Sequence, residues 1–452
     1  MTDFSVLRSH IAGPVFEPGE NGFTEELLGF NLAFTHQPEV VVGALDAADV
    51  TQAVRFAHDN SLAVTALATG HGGHAAITDG MVISTKRLDT VTIDPESRLA
   101  TIAAGARWGQ VVAAAAEHSL APITGSSSNV GVVGYLLGGG LGPLARSHGF
   151  SSDYIRSISV VTGNGDLVEA NALEYSDLFW ALRGGKGGLG IVTEIRVELV
   201  KLPALYGGNI LFGENEVEPA LRAWVDYTAA ADPLVTTSVA IMRFPPIEQV
   251  PEFMRGKTML ALRFAFPGGF DDGERLIAPL RAVGPAVADA VAALSPADIA
   301  TIHNDPTEPG KSWTTGGMLS RVDQDFATAL LGTVGVGIDV PIVGVELRHV
   351  GAATRTDVDG GSAVGGRSDD YTFGIIGSLM QPGIEDAVVA SATDILAAIA
   401  QWTSDETTIN FAAKPDLARF RAAWPPQTFD RLASVRAKYD PAGIFPYGPA
   451  LA

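Results

Sequence analysis

The sequence predicts an α+β chain of two units, and three observations carry that reading. Short apolar strands alternate with amphipathic helices over residues 36–203. Longer strands bracketed by helical stretches fill residues 204–400 as a sheet flanked by helices. Pro203 closes the first region. The expected division is 1–205, 206–405 and a C-terminal stretch 406–452.

The elements follow in order. EVVVGAL (39–45) reads as a strand. Asp46 is placed to cap a helix with Val50, Ala53, Val54 and Ala57 on one face. LAVTAL (62–67), MVIST (81–85) and TVTIDPESRLATIAAGA (90–106) supply strands, the last broken by a Pro-Glu-Ser turn. An Ala-rich helix is expected from Trp108 to His118. SISVVTGNGDLVEA (157–170) is a hairpin signal, with Asn164-Gly165 expected to supply the positive φ angles of a two-residue turn. A helix begun by Ser176 and stopped by Gly184 precedes the strand in GLGIVTEIRVELVKL (188–202).

Beyond Pro203, strands are expected at 257–266, 343–351 and 370–379, and helices at 274–290, 385–402 and 429–440. The Gly- and Asp-rich loop 352–370 is long enough to expect mobility. No internal repeat is evident.

Composition narrows the function classes. The 452 residues carry 51 acidic against 30 basic side chains, a net charge of −21. That balance argues against binding nucleic acid or an anionic membrane through a basic face. No run approaches a spanning helix, and MTDFSVLRSHIAGPVFEPGE lacks the apolar core of a signal peptide. The expectation is a soluble cytoplasmic protein, monomer or homodimer, acting on a small molecule, and the Ala- and Gly-rich, Lys-poor composition suggests a bacterial gene. The chain has no Cys, so no disulfide framework exists.

Two segments carry the chemistry. LAVTALATGHGGH (62–74) is a strand that runs into a turn holding glycines, His71 and His74. GSSSNVGVVGYLLGGGLGPLARSHG (125–149) is dense in glycine, with no Lys and one Arg. Bare backbone of this kind lets a bulky diphosphate cofactor lie against N–H groups without a cationic side chain. Gly131, Gly134, Gly138, Gly139, Gly140 and Gly142 are the candidates for that approach. A histidine beside such a surface can touch, or bond to, the cofactor's ring. The plainer readings are a polar residue capping a strand and a tightly packed turn. A metal at His71 and His74 lacks a nearby third ligand beyond Asp79, so no metal site is assigned.

The Gly-x-Gly-x-x-Gly at 185–190 is not a dinucleotide fingerprint, because it follows a helix and opens a strand. On VELRHVG, alternation puts Glu346 and Arg348 on one face and His349 on the other. A charged pair on a sheet is usually salt-bridged. The functional alternative is a substrate-side acid or base, with burial expected to raise the Glu346 pKa toward working pH. Tyr447, Asn410 and Trp424 are further pocket candidates.

These segments resemble the PCMH-type FAD-binding (vanillyl-alcohol oxidase) superfamily, and within it the berberine-bridge-enzyme-like bacterial FAD-linked oxidases. The resemblance is strongest over residues 36–203 and returns at KYDPAGIF (438–445). The family's R-S-G-G-H loop falls on Leu67, Ala68, Thr69, Gly70 and His71 without a gap, with Gly72 following. The resemblance therefore implies a histidyl bond to the flavin at His71, with His74 the alternative. A Cys that holds the flavin a second time in many relatives falls on Ser127, within Gly125, Ser126, Ser127, Ser128, Asn129, Val130 and Gly131, so a second thioether is chemically impossible here.

Gly190, Ile191 and Val192 are implied to offer backbone groups toward the adenine side. Tyr135 stands where many relatives have a His. The implied fold is a PCMH-type FAD-binding domain plus an α+β substrate domain, with 406–452 returning to the first. The implied activity is an FAD-dependent oxidase that takes a hydride from a C–H next to an O–H or N–H and passes electrons to dioxygen, giving hydrogen peroxide. A dehydrogenase or oxygenase of polyketide or alkaloid biosynthesis and a flavin-binding protein without turnover are the alternatives. Glu346 is the first candidate base and Tyr447 the second, since the C-terminal segment folds back in the family; His349 and Tyr135 complete the catalytic candidates.

Overall fold

A computed structural model describes residues 2–73, 75–412 and 421–445. The first unit holds two sheets. Val15–Phe16, Val40–Gly43, Met81–Ser84 and Val64–Leu67 lie side by side in that order, the last three mutually parallel. Val91–Asp94, Leu99–Ala103, Ile191–Glu198, Ile155–Val161 and Leu167–Asn171 form an antiparallel second sheet. Helix Ala47–Asp59 is capped by Asp46, whose side chain accepts from the Asp49 N–H, and buries Val50, Ala53, Val54 and Ala57. These apolar positions recur every three to four residues, so one face must leave water.

The second unit is one antiparallel sheet. Its order is Ala286–Asp289, Leu205–Phe212, Thr258–Phe266, Thr236–Arg243, Ile342–His349, Tyr371–Ser378 and Ser312–Leu319. Ala292–Leu294 also pairs with Leu205–Phe212. Alternation along the central strands turns Val239, Leu262, Phe264, Leu347 and Phe373 toward one apolar core. Helices Val217–Thr228, Gln324–Val334 and Glu385–Ile399 cover that face with Trp224, Phe326 and Ile395.

The opposite face carries a different pattern. Arg263, Ser238, Arg348 and Thr372 stand in register across four strands. The next row is Ala261, Ala240, Glu346, Gly374 and Gly316. Small residues flank the charged ones, so this face has room above it. It is turned toward the Gly-rich segment of the first unit, since Arg348 reaches the Leu141 carbonyl at 3.4 Å.

Several expectations are corrected. The stretch 274–290 is not one helix: Phe270–Arg281 is helical, and Ala286–Asp289 pairs with Leu205–Phe212. Gly284-Pro285 ends the pattern: glycine is a poor helix former, and the residue before a proline is pushed toward extended backbone. Only Gly165 of the hairpin loop has positive φ, and the loop spans 162–166 rather than two residues. Ser176 is the first helical residue, preceded by Tyr175. Loop 352–370, expected to be mobile, is tied down: Arg367 meets Asp153 at 2.5 Å, Arg355 meets Asp370 at 2.7 Å, and Arg183 donates to the Gly361 carbonyl. Among the described residues, no helix is long and apolar enough to cross a membrane.

The C-terminal helix Pro426–Tyr439 buries Leu432, Val435 and Tyr439 in the first unit's core. Tyr439 and Lys438 both donate to Asp177 at 2.7 Å, and Val64 N–H donates to the Ile444 carbonyl. We therefore propose the division at 205 and 405, with the last segment belonging to the first unit. Asp440 fixes the return. Its buried carboxylate accepts from the Ile444 and Phe445 N–H groups. Asp440→Ala would leave both donors unsatisfied in the core, at roughly 1–3 kcal/mol each. Thermal unfolding of that variant should begin several degrees lower; an unchanged midpoint would show that the return does not depend on this carboxylate.

Candidate active site

The site is built first from the loop that ends strand Val64–Leu67. Gly70 has φ +71°, and a Cβ there would come within 2.6 Å of the Gly29 Cα. Only glycine allows this approach, and it brings Phe30 over the loop. The Phe30 N–H donates to the Thr69 carbonyl at 2.8 Å. Its ring stacks on His71, with centroids 4.0 Å apart.

His71 Nδ1 lies 2.9 Å from Thr69 Oγ1, and the Gly131 N–H donates to the same oxygen at 3.3 Å. Thr69 therefore joins the two segments singled out in the sequence. Ala68 lies against the same junction, 3.9 Å from where a Gly131 Cβ would stand. His71 Nε2 is buried with no hydrogen-bond partner. Burial, then the charge of Arg107, pushes the His71 pKa down to about 4, so the ring is neutral near pH 7. His74 lies outside the described residues.

The Gly-rich segment corrects the reason given for its glycines. A Cβ on Gly139, at φ +93°, would meet the Phe150 ring at 3.0 Å and Val364 at 3.2 Å. A Cβ on Gly140 or Gly125 would strike the Tyr135 ring, one on Gly138 would strike Asn410, and one on Gly142 the Thr124 carbonyl. Gly190 is likewise pressed against Val160 and the Val161 carbonyl, with Ile191 and Val192 in register with those residues. These glycines let protein approach protein. Gly134, on helix Val132–Leu136, is different: a Cβ there has nothing within 4 Å. Gly72 faces only the Lys186 Nζ, at 3.9 Å. The open space thus lies between the His71 loop and Gly134.

Lys186 is the residue that sequence reasoning missed. It is the one charged side chain in the glycine run GGKGGLG, held at φ +66°. A lone charged side chain set among glycines is the signal that could have found it. Its Nζ donates to the Gly134 carbonyl at 2.8 Å and to Asn410 Oδ1 at 2.6 Å, and Asn410 Nδ2 donates to the Tyr135 carbonyl. Burial pulls the ammonium's pKa down to about 8. Asn410 is thus brought to the site. Trp424 is not: its Nε1 donates to the Ala363 carbonyl within the core. Tyr447 lies outside the described residues.

The segment 125–131 is clasped between the units. Ser126 Oγ donates to Asp305 at 2.6 Å, and Asn129 to the Thr307 carbonyl at 3.0 Å. The Trp108 N–H donates to the Val130 carbonyl. Ser127 lines a small cavity with Trp108, Gly109 and Ile299. Its hydroxyl, in a chain without Cys, cannot form a thioether.

The sheet face overturns the expectation for Glu346. Burial by itself would raise its pKa, as expected. Arg348 at 2.8 Å and Arg263 at 3.1 Å outweigh burial, and the pKa falls to about 2. A carboxylate held by two guanidinium groups is an anchor, not a proton acceptor near neutrality. His349 points to the other face. Arg146 donates to its Nε2 at 2.8 Å and its ring stacks on Tyr371. Burial and the adjacent Arg146 push its pKa down to about 3, so it braces an arginine rather than entering the site. Tyr135 packs edge-on against Trp108, and burial pushes its hydroxyl up to about 12. It can donate a hydrogen bond but is no base.

Sequence reasoning also missed His303 and Arg263. His303 is buried near Glu346, with Nε2 3.7 Å from Glu346 Oε1, and neither ring nitrogen makes a hydrogen bond. They sit in unremarkable sequence, and no local pattern signals them.

The packing separates two kinds of glycine, and substitution should too. Gly134→Leu fills open space and should leave a stable fold while emptying the site of any bulky ligand. Gly139→Val should lower the unfolding midpoint whether or not a ligand is present, because Phe150 and Val364 must move. Equal loss of stability in both variants would refute the distinction.

A family described as "FAD binding domain" matches residues 38–171. The (R)-6-hydroxynicotine oxidase of Paenarthrobacter nicotinovorans is 28% identical over 455 residues, covering 96% of this chain and 95% of that protein. The crystal structure of 6-hydroxy-D-nicotine oxidase from Arthrobacter nicotinovorans superposes with a TM-score of 0.83 at 26% identity, covering 98% of each chain. BBE-like 1 of Physcomitrella patens shares the fold, with a TM-score of 0.84 at 17% identity over 100% of both chains. Joined to the loop–glycine junction at Thr69, these likenesses give the chain an FAD-binding domain and support an FAD-linked oxidase of the PCMH-type, berberine-bridge-enzyme-like group.

Proposed function

We propose that the protein is an oxidase that carries FAD on a single covalent bond to His71. It would take a hydride from a small-molecule C–H next to an O–H or N–H, and dioxygen would become hydrogen peroxide. The observation that carries this reading is His71 itself: a neutral imidazole with a buried, unpartnered Nε2, beside the open space at Gly72 and Gly134. When bound, FAD supplies the two-electron acceptor and hands those electrons on to dioxygen.

This chain's residues supply the rest. Thr69 Oγ1 can accept from both the Gly131 N–H and the His71 Nδ1–H, which leaves Nε2 as the unprotonated nitrogen that would hold the flavin. The stacked Phe30 fixes the ring plane. Ala68, Thr69, Gly70, Ser126, Val130 and Gly131 would shape the rest of the cradle. The Lys186 ammonium, held by Gly134 and Asn410, would favour negative charge gathering in the open space. On the substrate side, Glu346 anchors Arg263 and Arg348, and these hold the substrate in place. The Tyr135 hydroxyl stays protonated.

The experiment has two arms. Acid-precipitated protein should keep its yellow colour, and peptide mapping should place one FAD-sized adduct on His71. His71→Ala should release the flavin, while its apoprotein folds. With substrate present, oxygen uptake should match peroxide formed one for one. An adduct that survives in His71→Ala would rule out this attachment, and turnover without peroxide would rule out the oxidase.

A further inference from the structure

One ammonium in the first unit has no anion to answer it. Lys186 Nζ donates to two neutral acceptors, the Gly134 carbonyl at 2.8 Å and Asn410 Oδ1 at 2.6 Å, and its third N–H is unspent. Among the described residues no carboxylate pairs with it, and burial alone pulls its pKa down to about 8. By contrast, Arg263 and Arg348 share Glu346, and Arg367 meets Asp153. An enclosed charge without a counter-charge is costly, and an anion beside it removes that cost. The backbone holds the lysine in place. The Gly184 and Lys186 N–H groups both donate to the Leu137 carbonyl, which ties this loop to the Gly-rich segment.

The space beside the ammonium is an open surface, not an internal void. Gly72 and Gly134 are exposed, and Lys186 itself is partly exposed. A Cβ on Gly134 or on Gly187 would meet nothing within 4 Å, and one on Gly72 only the Lys186 Nζ. Neither the Gly72 N–H nor the Gly187 N–H has an acceptor among the described residues. Most other glycines of the two segments are already taken by protein: Gly70 backs onto Gly29, Gly125 and Gly140 onto Tyr135, and Gly142 onto the Thr124 carbonyl.

A diphosphate needs bare backbone to lie against and a charge to balance it. In oxidised FAD the ring is neutral and the negative charge lies on the diphosphate. A permanent cation beside exposed glycine backbone therefore matches that part of the cofactor rather than the ring. We propose that Lys186, held by the Gly134 carbonyl and Asn410, is the cation that binds the FAD diphosphate over Gly72 and Gly134. This rests on the proposed flavin reading. It adds a charge that the segment 125–149 does not supply, since that stretch contains no Lys and its one Arg, Arg146, is bound to the Val235 and Val350 carbonyls.

The test uses the full chain carrying His71→Ala, in which flavin is dissociable, so that affinity is read without turnover. FAD and riboflavin, which lacks the diphosphate, are titrated into the apoprotein and followed by flavin fluorescence. Adding Lys186→Met should weaken FAD roughly ten- to a hundredfold, the worth of one charge-assisted hydrogen bond, and riboflavin by less than about threefold. Lys186→Arg keeps the charge and should recover part of the FAD affinity. Lys186→Gln keeps a donor without the charge and should repeat the loss; it replaces the Met variant if the unfolding midpoint shows that Met disturbs the loop. Unchanged FAD affinity, full recovery by Gln, or equal weakening of FAD and riboflavin would each overturn the inference, the last by placing the ammonium at the ring. The His71 adduct is read separately by mass in the unaltered chain. Its presence without a Lys186-dependent preference for FAD overturns this inference alone, whereas its absence counts against the flavin reading.

Discussion

Everything in the site depends on backbone passing closer to its neighbours than any Cβ permits. Gly70 against Gly29 brings Phe30 onto His71. Gly142 against the Thr124 carbonyl, Gly138 against Asn410 and Gly140 against Tyr135 fold the Gly-rich segment back on itself. These contacts are steric, so they set position more sharply than a hydrogen bond could. Thr69 then needs only one oxygen to join the His71 loop to Gly131.

The second layer is electrostatic. Among the described residues, the site gathers Lys186 from the first unit, Asn410 from the C-terminal segment, and Glu346, Arg263 and Arg348 from the larger sheet. The chain's overall charge is strongly negative, yet the groups aimed at the open space are donors and cations. Local field, not net charge, governs what a pocket attracts.

The two units take different physical roles. The first buries its apolar residues between short strands and helices and leaves a bare backbone surface. The second is a sheet with one face committed to helices and the other left polar beside small residues. Arg146, bound to Val235 and Val350 carbonyls and to His349, ties the Gly-rich segment to two strands of that sheet. A residue read as catalytic is thus part of the seam that keeps the two surfaces facing each other.

The α+β class, the strands at 64–67, 81–84 and 342–349, the Asp46 cap and the two glycine-bearing segments were legible in the sequence, because periodicity and turn chemistry are local. The absence of Cys likewise decided the second thioether before any fold was known. The strands at 205–212, 236–243 and 312–319 were not legible: their alternation is blurred by glycines and by burial on both faces. Glu346 shows the limit most clearly. Alternation placed it correctly beside Arg348, which does most to hold its pKa down, but the second guanidinium, Arg263, comes from eighty-three residues away in the chain and two strands away in the sheet. Lys186, His303 and Arg263 became site residues for the same reason. Sequence fixes which face a side chain takes; which charges meet across that face is set by strand pairing, and only the tertiary structure decides it.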